Sequence, residues 1–109
     1  MSEHTVKSYE DELRQLIDSV IKMGSLTESQ MADSMDAIIK VDKDSIDKII
    51  KSDDEINKFR SKIDTQIMTL LVKRAPMAID LRETISSLKI SQDLERIGDL
   101  SKSNAKKIK

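Results

Sequence analysis

Apolar residues recur along this chain at alternating steps of three and four, the period of helices packed along a seam. Leu13, Ile17, Val20, Gly24, Thr27, Met31, Ser34 and Ile38 form the first such line. It predicts a helix over about residues 5–40. Gly24 followed by Ser25-Leu26-Thr27-Glu28 also reads as a stop and a capping box. The seam keeps its register through that stretch, so one continuous helix is expected. Gly24 and Thr27 would then admit close approach of a neighbour, although glycine costs about 1 kcal/mol relative to alanine there.

A second line, Ile46, Ile49, Asp53, Ile56, Arg60, Ile63, Ile67 and Leu70, predicts a helix over about residues 43–74, with Ile50 and Leu71 widening its face. Asp42 or Asp44 can cap it. Asp53 occupies a position where the pattern asks for an apolar side chain. The only proline, Pro76, marks the next boundary, because it disfavours helical geometry at Ala75 and is tolerated in a first helical turn. A third helix is expected over about residues 76–108. Leu81, Ile85 and Leu88 open its seam. Gln92, Glu95 and Asp99 continue that line, while Ile90, Leu94, Ile97, Ala105 and Ile108 take over on the adjacent face. Short connections make neighbouring helices antiparallel. The expected fold is all-α, an up-down-up antiparallel three-helix bundle in a single domain over 1–109.

Composition narrows the reading. Charged residues make up 36% of the chain and aromatics 2%, which suits long helices on an aliphatic seam and not a sandwich or barrel. The net charge of -1 gives no reason to expect nucleic acid as a partner. With no cysteine, neither a disulfide framework nor a thiolate zinc site can form. The opening residues lack a basic segment followed by an apolar core, and no apolar run approaches the roughly 20 residues that span a bilayer. No membrane insertion and a cytoplasmic location are therefore expected. His4 is the only histidine and the serines have no partner base, so no enzyme is expected. Lys102, Lys106, Lys107 and Lys109 suit a helix C-terminus, with contact to an anionic partner as the alternative.

Candidate chemistry lies in the carboxylates. Across an antiparallel pair joined near Pro76, facing residue numbers sum to about 151. Asp53 then lies opposite Gly98, and Asn57 opposite Leu94. The pairs Asp53/Asn57 and Glu95/Asp99 fall at one height, each spaced to lie on one helix face. The first helix reaches this height near Thr27 and Glu28. Converging carboxylates need a compensating cation. Oxygen donors without thiolates or imidazoles suit magnesium, manganese or iron. A solvated charged face is the alternative, as is neutralisation of Asp53 by Arg60.

Asp93-Leu94-Glu95-Arg96-Ile97-Gly98-Asp99 resembles the signature of the PhoU family. So do Pro76-Met77-Ala78-Ile79-Asp80-Leu81-Arg82 with Leu88-Lys89-Ile90, the opening His4-Thr5-Val6-Lys7-Ser8-Tyr9, and Met23-Gly24 with Leu26. The resemblance implies two tandem three-helix repeats, of which this chain is similar to the first. It implies acidic motifs of the form Glu/Asp-x-x-x-Asp that hold metal ions, often iron or zinc clusters, in some members. Glu95 and Asp99 match one motif. Asp53 matches the start of the other, whereas Asn57 stands where an acid is expected. It further implies negative regulation of phosphate uptake and phosphate-starvation signalling. The expected partners are the transporter ATPase subunit and a sensor histidine kinase. Asp80 and Arg82 are candidate docking residues; their alternative is a first-turn acid with a local ion pair. An apolar flank left by a lone repeat would favour a homodimer. The competing function is a carboxylate-type metal-binding bundle without a signalling role. Such bundles usually add Glu-x-x-His pairs, which are missing from this sequence.

Overall fold

A computed structural model describes the backbone of residues 3–40, 43–73 and 78–107, and side chains within 7–40, 43–72 and 81–107. Three helices follow one another: α1 (Glu3–Lys40), α2 (Lys43–Lys73) and α3 (Ala78–Lys106). α1 runs unbroken through Gly24, as its uninterrupted seam predicts. At about 1.5 Å per residue its 38 residues span the 57 Å length of the rod, which is only 18 × 16 Å across. Lys40 and Lys106 lie in last turns and Asp44 in a first turn, matching the helix dipoles. Asp44 thus lies inside the first turn of α2. The alternative cap Asp42, the boundary at Ala75 and Pro76, and the side chain of His4 lie outside the described residues.

Side-chain contacts give the order of the rods. Gln30 and Ser34 of α1 reach Gly98 and Ser101 of α3, so these helices run parallel. Asp53 and Arg60 of α2 reach Lys102 and Glu95 of α3, so that pair is antiparallel. The bundle is up-down-up.

The stripe of α2 is buried as expected at Ile46, Ile49, Asp53, Ile56, Ile63, Ile67 and Leu70, while Arg60 is half-buried and Leu71, expected to widen the face, is exposed. Each fully buried isoleucine stabilises the fold by roughly 1.5–3 kcal/mol. The stripe of α1 is half as expected. Leu13, Val20, Thr27 and Ser34 face the bundle, but the flanking line that joins them is Tyr9, Leu16, Met23, Gln30 and Ala37. The expected Ile17, Met31 and Ile38 are 39%, 46% and 52% exposed. The helix is turned by about one residue because it must touch two neighbours, and their placement selects which side of the shared line is covered. The third seam is also corrected. Ile85 and Ile90 are exposed, and α3 buries Thr84, Ser87, Ser91, Gly98, Ser101 and Ala105 instead. Small side chains on this face let α3 sit close against the other two rods.

The interior is not uniform. Tyr9, Leu13, Leu16, Met23, Ile56, Ile63, Ile67 and Leu70 form one apolar cluster, joined by half-buried Val20, Leu26, Phe59, Leu88 and Leu94. Ala37, Ile46, Ile49 and Ala105 form a smaller one near the other end. Between them lies a polar level.

Candidate functional site

That level is built from one face of each helix. α1 contributes Thr27, Gln30 and Ser34, α2 contributes Asp53, and α3 contributes Gly98, Ser101 and Lys102. Asp53 is fully buried. The height expected from the fold-back at Pro76 is right: a Cβ built on Gly98 would stand 3.2 Å from Asp53 Oδ1. Glycine at this position is what gives the carboxylate its space.

Burying a lone carboxylate is strongly unfavourable unless it is paired. Asp53 Oδ2 meets the Lys102 ammonium at 2.9 Å. The distance suits a hydrogen bond but the approach is not fully aligned, so the contact is an ion pair first. Oδ1 accepts an N–H from Gln30 Nε2 at 3.3 Å, and the same nitrogen donates to the Gly98 carbonyl at 2.7 Å. Two acceptors on one side fix the Gln30 amide with its nitrogen toward them. Its Oε1 is buried without a protein donor. The hydroxyls are satisfied: Thr27 donates to the Met23 carbonyl, Ser34 to the Ser101 carbonyl and Ser101 to the Ile97 carbonyl. The short contact with the Asp53 carboxylate raises the pKa of Lys102 above its ordinary value; partial burial opposes this, and the charges of Asp53, Asp99 and Asp54 add to the rise.

Of the expected site residues, Glu95 and Asp99 line one surface pocket, whereas Asp53 is buried in the interior. Asn57 is exposed on α2, and Asp99 is exposed on α3. Glu95 lies 3.7 Å from Arg60, which also bonds Asp64 at 3.1 Å. Arg60, Gln92, Glu95, Arg96 and Asp99 line an open polar pocket in which two guanidinium groups stand among the acids. Arg60 therefore neutralises Glu95 and Asp64, and not Asp53. Among the described residues no three metal-capable side chains come together. As placed, the donor set Asp53, Asn57, Glu95 and Asp99 does not fit a metal ion. Arg82 is exposed and lines a groove between α1 and α3 with Ile17, Val20, Ile21, Glu83 and Ile90. The side chain of Asp80 lies outside the described residues.

The sequence pattern did not single out Gln30, and it read Lys102 as part of a basic helix end and not as the partner of Asp53, yet a signal existed. Side chains on a helix lean toward its N-terminus, so a residue covers the level one turn before its own Cα. Lys102 stands one turn past Gly98, and Gln30 stands three residues past Thr27. Both reach back to the height of Asp53.

A family model described as the PhoU domain matches residues 20–108. The chain is 41% identical over 107 residues to a phosphate-specific transport system accessory protein PhoU homolog from Caulobacter vibrioides, covering 98% of this chain and 46% of that protein. Proteins of the same name from Xylella fastidiosa and Clostridium acetobutylicum are each 38% identical, over 95% and 96% of this chain and 43% and 48% of theirs. The chain spans about half the length of these curated relatives. No solved structure matches it significantly.

Proposed function

The chain belongs to the PhoU family, and on that premise we propose that it is a non-catalytic helical adaptor in the negative regulation of phosphate uptake and phosphate-starvation signalling. Its proposed partners are the ATPase subunit of a phosphate transporter and a sensor histidine kinase, met on the cytoplasmic side. The relatives are by name accessory proteins of a phosphate transport system, which supports the first partner. Among the described residues no helix is long and apolar enough to cross a membrane.

The observation that carries this reading is the α1/α3 groove. Ile17, Ile21 and Ile90 leave apolar surface in the open, with Arg82 and Glu83 beside them. Further along α1, Met31, Met35, Ile38 and Ile39 are exposed as well. Apolar surface rimmed by charge is the usual form of a protein-binding face. Arg82 is the proposed polar anchor, with Asp80 beside it in sequence. A second copy of the chain covering the same face is the proposed route to a homodimer.

The test is co-purification with each partner. Ile21→Asp and Arg82→Glu alter exposed side chains, so the expected result is an intact helical domain with weakened capture of both proteins. Retention of one partner only removes the bridging role. Unchanged capture of both excludes this groove. The metal-bundle alternative gains no support from the way the acids are arranged.

A further inference from the structure

We infer that the cation of the buried acidic level is the chain's own Lys102 ammonium, and that this level is closed to divalent metal ions. The two oxygens of Asp53 are already engaged, Oδ2 by Lys102 at 2.9 Å and Oδ1 by the Gln30 amide at 3.3 Å. On the Gly98 side the α3 backbone stands close to Oδ1, where a methyl group would lie 3.2 Å away. A divalent ion of the oxygen-seeking kind needs several oxygens at about 2.0–2.6 Å. The other acids do not supply them: Glu95 is drawn to Arg60, while Asp99 and Asn57 are exposed.

Charge gives the same answer. Buried Asp53 and half-buried Lys102 together are neutral. A dication added to that pair would leave two uncompensated positive charges there, and burial of unpaired charge is strongly disfavoured. To bind, the metal would have to expel the ammonium. The ammonium is tethered one helical turn from the site, so its local concentration does not depend on the solution. The arrangement of the three helices at this level is therefore insensitive to metal supply. This holds whether or not the groove between α1 and α3 binds a partner.

The test uses the whole chain, prepared without affinity-tag metals and followed by NMR during titration with magnesium chloride, a diamagnetic probe whose shifts are local. The expected result is that the Gln30 side-chain amide signals keep their positions throughout. Shifts confined to Glu95 and Asp99 with Gln30 unmoved also agree with the inference. A saturable shift of the Gln30 amide overturns it. A double-mutant cycle with Lys102→Gln and Asp53→Asn forms the second arm. Lys102→Gln is expected to lower the urea midpoint, and adding Asp53→Asn is expected to recover part of the loss. No loss in the single variant, or no coupling between the two changes, overturns the inference.

Discussion

Two stretches of the same rod hold the helices together by different means. In one, Leu16, Met23, Ile56, Ile63 and Leu70 fill the interior with aliphatic side chains. In the other, one turn along, Gln30 and Asp53 fill equivalent seam positions, and half-buried Lys102 reaches in beside them. Aliphatic packing is non-directional, so the first stretch supplies stability and tolerates small rotations of the rods. The second is directional: Gln30 and Ser34 reach particular carbonyls on α3, and Lys102 reaches a particular carboxylate on α2. A slip by one turn would leave Asp53 buried without a counter-ion. The apolar stretch makes the bundle stable, and the polar level favours one register.

Five tests probe that contrast. The largest effect is expected from Ile63→Ala, which empties a fully buried site in the apolar stretch. It should lower the unfolding free energy by about 2–5 kcal/mol, read from urea denaturation. Next is Lys102→Met, which leaves Asp53 buried without its partner. The loss should be about 3 kcal/mol, at the low end for such pairs because Lys102 is 26% exposed. Replacing both members, as Asp53→Leu with Lys102→Met, should bring the midpoint back to within about 1 kcal/mol of the parent. If the level sets register, that double variant will be stable but will show multiple or broadened NMR signals for α3. A single sharp set would remove the register role.

The two glycines make a smaller, paired test. Alanine at Gly24 would meet Leu94 at 3.9 Å, an ordinary contact, so Gly24→Ala should raise stability by up to about 1 kcal/mol. Alanine at Gly98 would meet Asp53 Oδ1 at 3.2 Å and Ile56 Cδ1 at 3.4 Å. That carboxylate is held by Gln30 and Lys102 and cannot yield freely. Gly98→Ala should therefore lower stability by about 1–2 kcal/mol, since overpacking outweighs the gain in helix propensity. Thermal midpoints moving in the same direction for both variants would deny the difference between the two positions.

The smallest effect is with pH. The folded-state pKa of Lys102 is raised above 10.5. Its contribution is thus complete below pH 10.5 and is lost as pH rises through the folded value. The groups responsible are Asp53 first, then Asp99 and Asp54. Urea midpoints should fall more steeply above that pH in the parent than in Lys102→Met. Parallel curves would show that the ammonium contributes nothing.

Much of this was legible in the residues. The spacing of α2, from Ile46 to Leu70, has a single apolar stripe, so its buried face could be read off directly. The absence of glycine and proline from its interior left nothing to interrupt it. The height of Asp53 against Gly98 followed from one proline and the rise per residue. Three helices, their order and the level at which a buried acid would meet α3 are thus properties of the sequence by itself. They depend on local periodicity and chain length, which need no neighbour to define them.

Tertiary structure decided the rest. The line Leu13, Val20, Thr27 and Ser34 has a flank on either side, and Ile17, Met31 and Ile38 made the wrong one look more apolar. Only the positions of α2 and α3 around α1 determine that Leu16, Met23, Gln30 and Ala37 are covered. The identity of the counter-ion was decided the same way. Arg60 shares a helix with Asp53 and lies near it in sequence, yet it turns to Asp64 and Glu95. Lys102, far along the chain, leans back one turn and takes the carboxylate. Which cation meets a buried acid depends on the direction of side chains across a packed interface, and that direction exists only once the helices have docked.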